Sequence, residues 1–340
     1  MRNLLEPWVA LRLVAGLVST WLLLRASYTG LLVLKHFRLA RATEGQLLLE
    51  RRLDLSATFV RVGVAVQIGC VAFTALAAER LSHGIRGAMC GYGVFQASPW
   101  GFRSLVADVG VALVAGLLAQ LVAFDAKVRT FDLARPLAAA MLVLGPLSLA
   151  SFVLSCLFFL DLDLTVVASC CSVTLDAGAG VVEGAAFGPR VPTTVAAIVA
   201  IVAAMLVGAL AARRPERPRV VLAGALSLAA FPFAVAAVML EVAPHAFEVP
   251  QHVCPFCLLK ADVLGLGYPL FGAVFLATLW GGGAALGSLV SSGETAREAL
   301  APFARAALRR SRIAWAVALG LAVAPVLRYA VVSGFTPLFP

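Results

Sequence analysis

The sequence predicts an all-α, polytopic integral membrane protein with about eight transmembrane helices and both termini on the outer, periplasmic side. Three observations predict it. Of the 340 residues, 61% are hydrophobic and only 13% are charged, about half the charged share of a soluble domain. Apolar runs of the roughly 20 residues that cross a bilayer recur eight times. Basic residues gather in every second loop between those runs. A soluble fold of this length must cover itself with polar side chains. The composition therefore excludes a soluble enzyme, a disordered chain and a nucleic-acid-binding domain. The runs are too long and too uniformly apolar for the alternating strands of a membrane barrel.

The first span runs from about Trp8 to Leu34, with Arg12 and Arg25 inside it. It follows Met1-Arg2 and so resembles a signal peptide, but Leu24 and Arg25 occupy the plausible exit and the apolar run continues past them. A cleavage site needs small residues there, so a retained helix is expected. The next spans are Ser56 to Ala78, Phe102 to Phe124, Pro136 to Leu160, Pro192 to Ala212 and Val220 to Val242. The seventh is Pro255 to about Trp280 and the eighth is Ile313 to Val332. Thr29–Leu53 and Ser291–Arg312 mix apolar and basic residues and suit interfacial amphipathic helices, the former as an extension of the first helix.

Orientation follows from charge. Lys35, Arg38, Arg41, Arg51 and Arg52 lie between spans 1 and 2, and Lys127, Arg129 and Arg135 between spans 3 and 4. Arg213, Arg214, Arg217 and Arg219 lie between spans 5 and 6. Arg297, Arg305, Arg309, Arg310 and Arg312 lie between spans 7 and 8. These four loops hold 17 of the 27 Lys and Arg, which makes them cytoplasmic by the positive-inside rule. The net charge of +9 thus names an orientation rather than a nucleic-acid partner; the expected neighbour of these loops is the lipid bilayer. Trp8, Trp100 and Tyr329 fall at the outer interface and Trp280 and Trp315 at the inner one, as an aromatic belt would. Spans 1–4 and 5–8 share an orientation, which suggests four-helix halves, 1–160 and 192–340, within one membrane domain. A bacterial inner membrane is the expected location.

This topology turns Cys90, Cys170, Cys171, Cys254 and Cys257 outward and leaves Cys70 and Cys156 within spans. The strongest local signal is His252-Val253-Cys254-Pro255-Phe256-Cys257. With Cys254 at an N-cap and Pro255 at the first helical position, the first-turn amides would stabilise a Cys254 thiolate. Cys257 lies one turn inward, near enough to form or resolve a disulfide. Lys260, a further turn along, also favours a thiolate. Three chemistries fit these residues: a redox-active dithiol, a structural disulfide, and a copper or zinc site made by His252, Cys254 and Cys257.

Gly87–Gly101 is 15 residues without a charge, too apolar for a solvated loop and too rich in glycine for a span. A cap buried against protein is expected, with Cys90 facing the Cys254 motif. Vicinal Cys170 and Cys171 are strained partners for each other and are expected to pair with Cys90 or with that motif. Within the spans, Asp108 and Gln67 are candidates to line a proton or quinone path, or to bond a neighbouring helix.

A Cys-x-x-Cys at the outer end of a membrane helix, with Cys90 in an outer loop near Ser98 and Trp100-Gly101, resembles vitamin K epoxide reductase. It also resembles the quinone-linked membrane oxidases that recharge periplasmic disulfide donors. The resemblance implies that loop cysteines relay electrons to the helix pair, which reduces a bound quinone. Those families have four or five spans and a cysteine pair in the loop. The expected function is a membrane thiol–disulfide oxidoreductase acting through Cys254 and Cys257, with Cys90, Cys170 and Cys171 as relay and a quinone or a periplasmic thiol protein as partner. The alternatives are a transporter or metal-handling permease with a Cys/His outer site, and a non-catalytic subunit with a structural disulfide.

Overall fold

The computed structural model describes residues 5–37, 44–128, 131–165 and 188–339. The helices are α1 (Pro7–His36), α2 (Glu44–Ser82), α3 (Gly91–Gln96), α4 (Gly101–Asp125), α5 (Ala134–Asp161), α6 (Arg190–Arg213), α7 (Arg217–Ala237), α8 (Ala243–Phe247), α9 (Gly267–Val290) and α10 (Glu294–Val332). No strand occurs among the described residues. A π-helical turn, Val238–Val242, joins α7 to α8. Among the described residues, eight helical segments are long and apolar enough to cross a membrane: α1, α2, α4, α5 with its preceding turn, α6, α7 through α8, α9 and α10.

Local chemistry explains the ends. Glu6 caps α1, its carboxylate accepting from the backbone N–H groups of Trp8 (2.6 Å) and Val9 (3.3 Å), and Pro7 occupies the first turn, where its missing N–H costs nothing. Lys35 and His36 sit in the last turn, where positive charge meets the negative end of the helix dipole. Phe37 is extended and ends the helix. The amphipathic extension therefore does not belong to α1. Residues from Glu44 onward instead lengthen α2 to 39 residues, about 58 Å at 1.5 Å per residue. The 39-residue α10 likewise absorbs Glu294–Arg312 into the helix that carries the last apolar run.

The chain forms two compact units. The first comprises residues 1–85, 94–166 and 286–303; the second comprises residues 86–93, 167–285 and 304–340. In the first, α1 packs on α2 and α5, and α4 packs on the same two helices, closing a ring of four. Its interior carries a polar seam. Ser19 donates to the Gly63 carbonyl (2.9 Å) and to Gln67 Oε1 (3.1 Å), and Ser27 donates to the Leu142 carbonyl (3.3 Å). In a bilayer such bonds tie helices that hydrophobicity alone cannot hold together.

The second unit packs Ile201 of α6, Ala230 and Ala234 of α7, Leu270, Val274 and Ala277 of α9, and Ala314, Trp315 and Ala318 of α10 into one apolar core. Trp315 is fully buried there, so it is a core residue and not part of an interfacial belt. Its indole N–H donates to Ser227 Oγ (2.9 Å), and the Ser227 and Ser311 hydroxyls both donate to the Ala277 carbonyl (3.1 and 2.7 Å). The indole's single donor is satisfied inside the core, which removes the reason for it to sit at a wet interface.

Candidate thiol site

The backbone delivers the cysteines through irregular segments rather than helix ends. Past α2 the chain turns at Gly87, whose φ of +83° is left-handed and costs a glycine little. Cys90 follows, directly before α3, and its carbonyl accepts from the Gly93 N–H (3.1 Å). Cys90, Gly91, Gly93, Val94 and Phe95 are all buried, in keeping with a cap packed against protein.

The second segment departs from the expected geometry. Cys254 lies outside any regular element, Pro255 and Phe256 form a turn, and Cys257–Leu259 is a single 3₁₀ turn. Another follows at Ala261–Val263, and α9 begins only at Gly267. Cys254 is therefore not a helix cap, and the dipole of α9 does not act on it. The break has a local cause. Leu264 and Gly265 are both left-handed, with φ of +54° and +64°. The Gly265 N–H closes the loop onto the Lys260 carbonyl (2.9 Å). Pro269 then suits the first turn of the new helix. Irregular backbone at a membrane helix end is tolerated where protein covers it, and Cys254, Phe256, Cys257 and Leu258 are all buried.

These two segments bring three sulfurs together. Cys90 Sγ and Cys254 Sγ are 3.3 Å apart, from residues 164 positions apart in sequence. That is contact distance, longer than the about 2.05 Å of a disulfide. Cys257 Sγ joins them, all three sulfurs lying within 4.8 Å of one another. Cys90 and Cys254 are 0% exposed and Cys257 is 8% exposed, so all three residues are buried. Lys260 Nζ donates to the Met89 carbonyl (2.7 Å). That bond holds the Cys90 segment against the Cys254 segment and sets a positive charge one residue from Cys90.

The other sequence candidates fall elsewhere. His252 is not one of the three grouped ligands; its ring lies against Phe247, centroids 4.2 Å apart. Cys90 stands where the sequence suggested an imidazole. Cys170 and Cys171 lie outside the described residues. Gln67 accepts from Ser19 in the first unit.

Asp108 is the centre of a buried ion pair that sequence reading missed. Arg12 Nη2 reaches both its oxygens, at 2.7 and 2.8 Å, with both side chains almost fully buried. Thr74 accepts from Arg12 Nε (2.7 Å) and donates to Asp108 Oδ2 (2.8 Å). Ser151 donates to Oδ1, and Ser155 accepts from Arg12 Nη2 (2.7 Å). The available signal was Arg12, one of two Arg in the first apolar run, and Asp108 in the third; charges inside apolar spans usually pair with one another.

No known protein family, curated protein or solved structure matches the chain. The chemistry is therefore read from the three sulfurs themselves.

Proposed function

We propose that the chain is a thiol–disulfide oxidoreductase of the bacterial inner membrane. Cys254 and Cys257 are the exchanging pair, Cys90 is the third thiol of the relay, and a quinone is the electron acceptor. The observation that carries the reading is the 3.3 Å approach of Cys90 and Cys254 with Cys257 in the same group. Thiol–disulfide exchange needs an attacking sulfur in contact with a bonded one, and three mutually close sulfurs supply both.

In the oxidised form Cys254 and Cys257 share the disulfide. A substrate thiolate attacks Sγ of Cys257, the less buried residue of the pair, forming a mixed disulfide and releasing the Cys254 thiolate. The second substrate thiolate then forms the substrate disulfide and releases the Cys257 thiolate. Two electrons pass from the two thiolates to the quinone, which takes up two protons from water, giving quinol and restoring the disulfide. Cys90 attack on Cys254 moves the disulfide to Cys90–Cys254 and frees Cys257, with no net electron change. Lys260, bonded to the Met89 carbonyl, keeps the Cys90 segment next to the pair it attacks. In this reading Cys170 and Cys171 pass electrons from a periplasmic thiol protein to the cluster.

The test is alkylation trapping in intact cells, with respiratory quinone present and depleted. Cys254 and Cys257 are expected to be oxidised with quinone and to accumulate as thiols without it. A pair locked in one state under both conditions refutes the reading and leaves a structural disulfide or a static dithiol.

A further inference from the structure

The same three sulfurs make a ligand set for a metal, which thiol exchange does not require. We propose that the reduced cluster of Cys90, Cys254 and Cys257 binds a single Cu(I) ion in a three-sulfur site. This goes beyond the oxidoreductase reading and does not depend on it.

Donor type decides the metal class. Three thiolates are soft ligands, which select Cu(I), zinc or iron–sulfur centres over hard cations. Coordination and burial together favour Cu(I) over zinc. Structural zinc takes four protein ligands in a tetrahedron and catalytic zinc takes three with a water in the fourth position, whereas the group contains three ligating residues among the described residues, all of them buried, a setting that does not favour a fourth, water ligand. The His252 ring lies tilted against Phe247, centroids 4.2 Å apart, and is not in the group. Size agrees as well. A metal about 2.3 Å from each sulfur in a planar trigonal site separates the sulfurs by roughly 4.0 Å. The observed spacings, 3.3 Å for Cys90–Cys254 and at most 4.8 Å for any pair, bracket that value. Cys90 and Cys254 need only move apart by a fraction of an ångström, in a turn and a loop rather than in a packed helix.

Burial points the same way. With two of the cysteines 0% exposed and the third 8%, the site suits an ion that sheds its water entirely. Three thiolates around one Cu(I) leave excess negative charge, and the Lys260 ammonium anchored at the Met89 carbonyl lies on the side that offsets it. Binding displaces thiol protons, so affinity rises with pH. A Cys254–Cys257 disulfide leaves one thiol and removes the site.

The experiment uses the full chain in detergent or nanodiscs, reduced and kept anaerobic, titrated with Cu(I) against the chromogenic chelator bicinchoninate. One Cu(I) per chain is expected, with X-ray absorption reporting sulfur ligands only. Cys90→Ser and Cys254→Ser are each expected to weaken binding by more than about 100-fold, while Cys70→Ser leaves it unchanged. If a variant fails to fold, wild-type protein oxidised with diamide is the second arm, and its loss of Cu(I) binding supports the site. Binding that survives both the serine variants and oxidation overturns the proposal, as does tight stoichiometric zinc with nitrogen or a fourth sulfur in the shell. A negative titration alongside quinone-dependent trapping would sink the copper site and leave the oxidoreductase reading standing.

Discussion

Arg12 and Asp108 in the first unit are buried as deeply as Cys90 and Cys254 in the second, yet the two groups are held in opposite ways. Asp108 receives Arg12, Thr74 and Ser151, and Arg12 is bound in turn to Thr74 and Ser155. Five side chains from α1, α2, α4 and α5 close around one ion pair. The cysteines lie in irregular segments joined by the Cys90–Cys254 sulfur contact and by the Lys260 bond to the Met89 carbonyl. The difference follows from desolvation. A charge pair in an apolar bundle survives only when the two charges meet and further polar groups bond to them; here Arg12 Nη1 is left without a partner. A thiol is a small, polarisable and nearly apolar group that tolerates burial more readily. The first arrangement locks helices; under the proposed function, the second leaves sulfurs able to change partners.

Four substitutions test that contrast, starting with the largest effect. Asp108→Leu leaves Arg12 buried and unpaired and is expected to cost about 3–5 kcal/mol, read as a lower unfolding midpoint in detergent. Adding Arg12→Met should recover most of the loss. If Asp108→Leu is tolerated on its own, the pair is not the lock described here. Ser227→Ala removes the acceptor of the Trp315 indole and should cost about 1–3 kcal/mol, less than the ion pair because no charge is stranded. A loss equal to that of Asp108→Leu would show that saturation, not charge, sets the scale.

Lys260→Met releases the Met89 carbonyl. About 0.5–1.5 kcal/mol is the expected cost, read as a lower unfolding midpoint in detergent, together with slower quinone-dependent exchange because the Cys90 segment loses its bond to the Cys254 segment. Unchanged exchange would limit the Lys260 bond to a stabilising role. Cys254→Ser is nearly isosteric and should change stability by less than about 1 kcal/mol, yet abolish quinone-dependent exchange in the trapping assay. A large stability loss from this substitution would place the sulfur cluster with Arg12–Asp108 as a structural element and erase the contrast.

Much of the fold was legible because span length and hydropathy are local properties. Each of the eight expected spans overlaps a helix long and apolar enough to cross a membrane, but the seventh, expected from Pro255 to about Trp280, is displaced to Gly267–Val290. The starts were less legible where several residues could begin a helix. Pro255 looked like a first-turn proline, but Pro269 takes that role, because the left-handed pair Leu264-Gly265 interrupts the helix between them. Trp315 looked interfacial by its position near a span end, but Ser227 on another helix satisfies its N–H, which no local pattern reveals.

The same division holds for the site. The sequence by itself determined that the chain is helical and apolar, that Cys254 and Cys257 lie three residues apart, and that Cys90 sits in an uncharged loop. Composition and short spacing are enough for those statements. Only the tertiary structure decided that Cys90 replaces His252 as the third ligand-type group, that Lys260 binds the Met89 carbonyl, and that Arg12 finds Asp108. Each of those joins residues dozens to well over a hundred positions apart. Such contacts are set by which helix faces meet and where a turn releases the backbone, and chain spacing carries no record of either.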